Sequence, residues 1–405
     1  MNVDVLFIGG IWLENEESDI IENSIGNVQI AANMLQTNII KGIEENISNP
    51  LTIINEKFIG AFPKRYKKKQ IQEYSFSHVQ DQKHSDYNVG FINLPIVKHL
   101  FRYWNSKKSI RQACSSLKGD YIYVIGYSMT YSIVKGLLYA KQCNKRVKTC
   151  LIVPDLPEYM NLGNSRGKVF EFFKTYSNRK LAKLIRHIDS FAVLTKYIYD
   201  KIDSSHPYVV MEGIANDHFE DIGEITPHNK EVRNVVYTGT LDAKYGVCDL
   251  VNAFYAIKDD DLRLVICGAG DGELFIKEIA EKDSRIQFKG VVTNREAREM
   301  QKNAFLLVNP RNSNEEYTKY SFPSKTMEYM MSGKPVLMYK LLGIPDEYDS
   351  YLYYVKDNLE DALRAVLSLP EEELSAKGKA AKQFVATEKN AAAQTKKILN
   401  MLKCI

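Results

Sequence analysis

Short runs of β-branched and aliphatic residues recur along the chain, with longer helix-patterned stretches between them. In the first half the apolar runs fall at 5–8 (Val-Leu-Phe-Ile), 51–54, 121–125, 149–153, 191–195 and 209–211, with a helical pattern near 28–43. A second series is more regular, at 235–238, 262–267, 286–288, 305–308 and 335–339, with a helix pattern between most pairs. Strands that alternate with amphipathic helices wind into parallel sheets. The pattern predicts an α/β protein with two doubly wound lobes. A polar stretch at 221–230, containing Gly223, Pro227 and Asn229, separates the two series. The first lobe is therefore expected over 1–222 and the second over 231–385, with 386–405 as a C-terminal helix, because 371–405 is rich in Ala and Lys.

Composition adjusts this picture in three ways. A chain of 405 residues that is 45% hydrophobic fills two cores of ordinary size. No apolar run approaches the roughly 18–20 residues of a spanning helix, and the N-terminus reads as a first strand, not a signal peptide. Six cysteines without Cys-x-x-Cys spacing suggest free thiols in a reducing, cytoplasmic setting. The net charge of +4 hides an asymmetry, since residues 57–186 hold 25 Lys/Arg against 7 Asp/Glu. Such a basic lobe suits an anionic membrane surface or a lipid-linked diphosphate. No nucleic-acid-binding module accompanies it, so nucleic acid is not expected as a partner. The densest cations are Lys64, Arg65, Lys67, Lys68 and Lys69, then Lys168, Lys174, Arg179 and Lys180. The second group is interleaved with Phe170, Phe172 and Phe173, a mixture that fits a membrane-surface helix and also an amphipathic helix on its own core.

Candidate chemistry begins with three glycine turns at strand ends: Gly9-Gly10, Gly239-Thr240 and Gly268-Ala269-Gly270. Ligands of open parallel sheets bind outside the carboxyl ends of the strands, where glycine admits close approach and helix starts offer N–H groups. The Gly-x-Gly at 268–270 lacks the rest of a dinucleotide fingerprint. The strongest local signal runs from Tyr320 to Val336. Pro323 and Ser324 suit the first turn of a helix, Gly333 suits its C-terminal cap, and Pro335 opens the next strand. Lys325, Glu328 and Ser332 share one face, while Met327, Met330 and Met331 face the sheet. A helix of this kind holds phosphate at its start and ribose hydroxyls at the glutamate; a solvent-facing Lys/Glu pair satisfies the same spacing. Asp259-Asp260-Asp261 reads as a solvated turn, and the histidines lack ligand spacing, so no metal is expected.

These residues resemble the signature of family-4 glycosyltransferases of the GT-B type (glycosyl transferases group 1), in which Glu-x7-Glu precedes a small residue, Gly-x-Pro-Val. Glu328 stands at the second glutamate, and Ser332-Gly333-Lys334-Pro335-Val336 match the remainder of the signature. Tyr320 replaces the first glutamate, with Glu315 and Glu316 just upstream. The resemblance covers most of 235–345 and is thinner in the first lobe, at Gly9-Gly10, 153–157, 193–195 and 212–214. It implies two Rossmann-like lobes facing a cleft, the first for the acceptor and the second for a nucleotide sugar, with the C-terminal helix returning to the first lobe. It also implies transfer of a hexose from a nucleotide sugar, a UDP-sugar above all, to a glycan or lipid-linked acceptor in surface polysaccharide biosynthesis, with retention and without a metal or other cofactor. Glu328 would bind the ribose, and Lys244 and Lys325 the diphosphate, Thr240 standing where relatives carry an arginine. Asp155 would lie by the transferred sugar. Gly9, Gly10, Gly239, Gly268, Tyr320, Ser321, Phe322, Pro323, Ser324 and Thr326 would complete the surroundings of the donor. Two further readings are a GT-B enzyme of the sugar-nucleotide epimerase kind and a degenerate partner subunit, the latter suggested by Tyr320 and Thr240.

Overall fold

The computed structural model describes residues 2–26, 28–79, 86–95, 97–156, 178–202, 205–216, 232–312 and 316–405. The chain divides into two compact units, residues 1–214 with 391–405, and residues 215–390. The separating stretch expected at 221–230 lies outside the described residues, as do Lys168 and Lys174.

The first unit is built on an eight-stranded sheet. In spatial order its strands are Tyr208–Val210, Ser190–Val193, Val147–Val153, Tyr121–Tyr127, Val3–Gly9, Thr52–Asn55, Asp86–Asn88 and Tyr74–Phe76. All pair in parallel except the last, which runs antiparallel to Asp86–Asn88. Val3–Gly9 is central and buried along six of its seven positions, because a strand covered on both faces wants apolar side chains on both. The helices Ile30–Asn46 and Tyr131–Cys143 cover the sheet with Ile39, Ile40 and Ile43, and with Ile133, Val134 and Leu137.

The final helix, Ala391–Cys404, belongs to this unit although the residues before it do not. Ile398 and Leu402 are buried in the first unit's core. Gly42 accommodates the approach, since a Cβ there would lie 2.2 Å from the Ala391 carbonyl oxygen. Asn46 Nδ2 donates to the Ala392 carbonyl at 2.9 Å, and Gln394 Nε2 donates to Glu212 Oε2 at 2.8 Å.

The second unit has a six-stranded, fully parallel sheet. Its spatial order is Ile286–Phe288, Leu262–Cys267, Arg233–Thr238, Leu306–Asn309, Val336–Tyr339 and Tyr353–Val355. Numbered along the chain this is 3-2-1-4-5-6, the order of the doubly wound dinucleotide-binding folds. Helices start where the sequence offers caps: Thr293 and Glu296 form a reciprocal capping box for Asn294–Lys302, and Asn358 caps Leu359–Leu367. Ser324–Met331 runs up to Gly333, whose positive φ of 76° closes the helix end in the left-handed conformation.

Candidate functional site

In the second sheet the first strand, Arg233–Thr238, lies beside the fourth, Leu306–Asn309, and the chain leaves these two strands toward opposite sides. Divergence of this kind opens a crevice at the carboxyl ends, the usual ligand position of such sheets. A pocket of about 470 Å³ occupies it, within the size range of small-molecule sites. One wall is formed by Gly239 and Thr240, leaving the first strand, and another by Asn309 and Arg311, leaving the fourth. Residues 321–325, entering the Ser324–Met331 helix, complete the polar side, and Tyr237, Tyr245 and Phe322 supply aromatic surface.

The positive character of the pocket comes from Arg311, Lys325 and the helix start. Arg311 lies over the Tyr245 ring, 5.6 Å from its centroid. Pro323 precedes the helix without a side-chain cap, so the first-turn N–H dipoles favour an anion there. Lys325 Nζ lies 2.9 Å from Glu328 Oε2 and 3.1 Å from Oε1, one turn apart on the helix face that the spacing predicts. Behind this pair lies a buried network. Gln301 Nε2 donates to Glu328 Oε1 and to Thr238 Oγ1, both at 2.7 Å. The Tyr329 hydroxyl accepts from the Thr238 amide at 2.9 Å and donates to the Thr238 carbonyl at 3.1 Å. Complete burial keeps that phenol protonated, far above its ordinary range.

Gly239, Thr240, Ser321, Phe322, Pro323, Ser324 and Lys325 are brought together around the pocket. Gly268 acts one layer below. Its φ is +140°, and a Cβ would sit 1.7 Å from the Gly239 carbonyl oxygen, so this glycine lets two strand-end turns pack against each other. Thr326 does not face the pocket, because its hydroxyl is buried against Met338 Sδ at 3.6 Å. Tyr320 is likewise buried and does not line the pocket; its hydroxyl lies 3.4 Å from Glu316 Oε1. Glu315 lies outside the described residues. Lys244 also fails to line the pocket: its side chain is 59% exposed and its ammonium lies 3.6 Å from Asp242. Arg311, which the residue spacing did not single out, lines the same pocket as Thr240. Its signal was its place directly after the fourth strand, at the end where such sheets bind ligands.

Gly9 and Gly10 lie in the first unit, and their turn is closed to a phosphate. The amides of Gly10, Ile11 and Trp12 already donate to Gln36 Oε1, Asn55 Oδ1 and Asn33 Oδ1 at 2.8, 2.8 and 2.9 Å. Phe58 fills the space where a Gly10 side chain would project. Both glycines admit close packing here. Asp155 follows the strand Val147–Val153. It keeps solvent-accessible surface, and the crowd of neighbouring atoms raises its carboxyl above the usual range; the exposure makes that desolvation a weak effect. The basic side chains Lys64, Arg65, Lys67, Lys68, Lys69, Arg179 and Lys180 are exposed. Lys68 is engaged with Asp19 at 2.7 Å, Lys67 with the Glu22 carbonyl at 2.7 Å, and Lys180 lies 5.8 Å from the Tyr131 ring centroid. The Asp259–Asp261 turn is anchored as well as solvated: Arg233 pairs with Asp259 at 2.6 Å. The six cysteines are free.

Residues 232–372, within the second unit, match the family Glycosyl transferases group 1. The chain as a whole has the GT-B fold, as three solved structures illustrate. HepE of Anabaena, solved with UDP, is 12% identical with a TM-score of 0.60, covering 99% of this chain and 100% of that one. The α,α-trehalose 6-phosphate synthase of Burkholderia multivorans is 9% identical with a TM-score of 0.59, covering 100% and 97%. A mutant TarM of S. aureus, solved with Fondaparinux, alpha-GlcNAc-glycerol and UDP, is 11% identical with a TM-score of 0.58, covering 98% and 99%. A comparison with curated proteins found no match. At these identities the structural likeness establishes the fold. No described helix is long and apolar enough to cross a membrane.

Proposed function

We propose that the protein transfers a hexose from a UDP-sugar to a glycan or lipid-linked acceptor in surface polysaccharide synthesis. The observation that carries this reading is the pocket at the switch point of the second sheet, lined by Arg311, Lys325 and a helix start, with Glu328 outside the lining and paired to Lys325. The UDP bound in HepE and in the TarM mutant supports uridine diphosphate as the leaving group.

Charge dictates the chemistry. As the bond between the sugar's anomeric carbon and the β-phosphate oxygen breaks, the sugar becomes oxocarbenium-like and the diphosphate gains negative charge. Arg311, Lys325 and the N–H groups at the start of Ser324–Met331 offset that charge, the N–H groups being fixed in place before the reaction begins. Glu328 accepts hydrogen bonds from the ribose hydroxyls. The acceptor hydroxyl forms the new bond to the anomeric carbon and gives its proton to the departing β-phosphate oxygen. Asp155 is assigned to the transferred sugar, and retention is part of the proposal. The neutralising work is assigned to side chains and backbone, without a metal. The exposed cations at 64–69 make an anionic lipid surface, and hence a lipid-linked acceptor, the acceptor class of this proposal.

Calorimetric titration with UDP tests the donor site. Wild type should bind, and Glu328→Ala should bind more weakly by about 1–3 kcal/mol through lost ribose hydrogen bonds. A protein that binds neither UDP nor GDP is not a transferase of this kind, and unchanged affinity in the variant removes Glu328 from the site.

A further inference from the structure

Glu328 does not stand alone on its helix. Gln301, in the last turn of Asn294–Lys302, is fully buried, and its amide spans the gap between Thr238 and Glu328. A carboxylate only accepts hydrogen bonds, so the NH2 of Gln301 must face Glu328. That orientation leaves the Gln301 carbonyl oxygen buried without a partner among the described residues. An unmatched buried acceptor is unfavourable, and the arrangement persists because one NH2 serves two acceptors at once. Thr238 cannot drift, since its backbone is held on both its N–H and C=O by the Tyr329 hydroxyl. The chain of contacts therefore runs from the first strand, through Gln301, to Oε1 of Glu328. The second oxygen, Oε2, faces the Lys325 ammonium, the end of a long side chain that is 39% exposed.

These two attachments have different character. Gln301 is immobilised by packing, whereas Lys325 is free to exchange its partner for phosphate. We propose that Gln301 is a positioning residue: it pins Oε1 so that Glu328 keeps its place, and presents Oε2 to the ribose, when Lys325 turns to the diphosphate. The proposal rests on Glu328 binding the ribose. Without Gln301 the carboxylate would follow Lys325 or rotate into solvent, and the nucleotide would be held by its phosphates and base alone.

The readout is discrimination between UDP and 2′-deoxy-UDP, measured by calorimetry on wild type, Gln301→Leu and Thr238→Val, with thermal melting to verify folding. Gln301→Leu removes the donor, and Thr238→Val releases the amide's inner anchor while filling the same space. Wild type should favour UDP by about tenfold or more, the effect of one hydrogen bond to a charged group. In the variants the preference should fall to within about threefold, while affinity for 2′-deoxy-UDP changes little. A folded variant that retains the wild-type ratio, or that weakens both nucleotides equally, overturns the role of Gln301. Wild type that binds both nucleotides equally overturns the ribose reading itself, whatever the variants do.

Discussion

Arg311 and Lys244 carry the same charge at different addresses, and their surroundings decide which one matters to an anion in the pocket. Arg311 lines the pocket with its guanidinium over Tyr245, while Lys244, outside the pocket lining, lies 5.0 Å from the centroid of the same ring and 3.6 Å from Asp242. An exposed pair of the latter kind contributes little, but a planar guanidinium at a phosphate forms charge-assisted bonds. Arg311→Ala should therefore weaken UDP binding about tenfold or more, and Lys244→Ala by less than about threefold, both by calorimetry. Equal losses would return the diphosphate to the neighbourhood of residue 244. Lys325 and Glu328 were legible beforehand because helical spacing alone puts residues three apart on one face. Thr326 and Tyr320 were not, since whether a side chain on that helix or before it is buried depends on Met338 and other residues distant in sequence.

At the scale of elements, the Gly9-Gly10 turn shows how a strand end that looks like a phosphate cradle is closed. Three side chains from two other elements, Gln36 and Asn33 of the Ile30–Asn46 helix and Asn55 of the next strand, take its amides. Immediately after that strand, Glu56 is wholly buried. Burial pushes its carboxyl from 4.5 to about 7, against the opposing pull of Arg102 and the nearby Ser132 hydroxyl, which approaches without reaching hydrogen-bond geometry. Between these two values the folded state holds more protons than the unfolded chain, so stability falls as pH rises through the window from 4.5 to about 7. Glu56→Gln removes this dependence. Comparison of urea midpoints at pH 4.5 and pH 8 should show the variant gaining on wild type by on the order of 1–3 kcal/mol. A difference that does not change with pH would mean that Glu56 ionises normally in the folded protein. A single Glu after an apolar strand carries no sequence signal for this, because burial comes from helices elsewhere in the chain.

At the scale of the molecule, the chain crosses between its two units twice. The helix Glu371–Glu388 stays with the second unit, where Phe384 stacks on Tyr351 with ring centroids 4.4 Å apart. Ala391–Cys404 then completes the core of the first. Residues 391–405 thus complete a core whose other parts come from residues 1–214. Ile398→Ala, at a fully buried position, should destabilise the first unit by about 2–5 kcal/mol while leaving the transition of the second unchanged in calorimetric melting. Loss of both transitions together would mean that the units do not unfold independently.

The alternation of apolar runs and helical patterns, read along the chain, already determined two parallel α/β lobes and placed Lys325 and Glu328 on one face of a short helix closed by Gly333. Those features rest on periodicity and on caps, which involve neighbours a few residues apart. The tertiary structure decided what depends on partners distant in sequence. It closed the Gly9-Gly10 turn with side chains from three positions, packed Gly268 against Gly239, and set Arg311 rather than Lys244 in the pocket wall. It also placed Gln301 behind Glu328 and assigned the last two helices to different units. Each of these turns on which atoms occupy the space around a residue, and local spacing does not specify that.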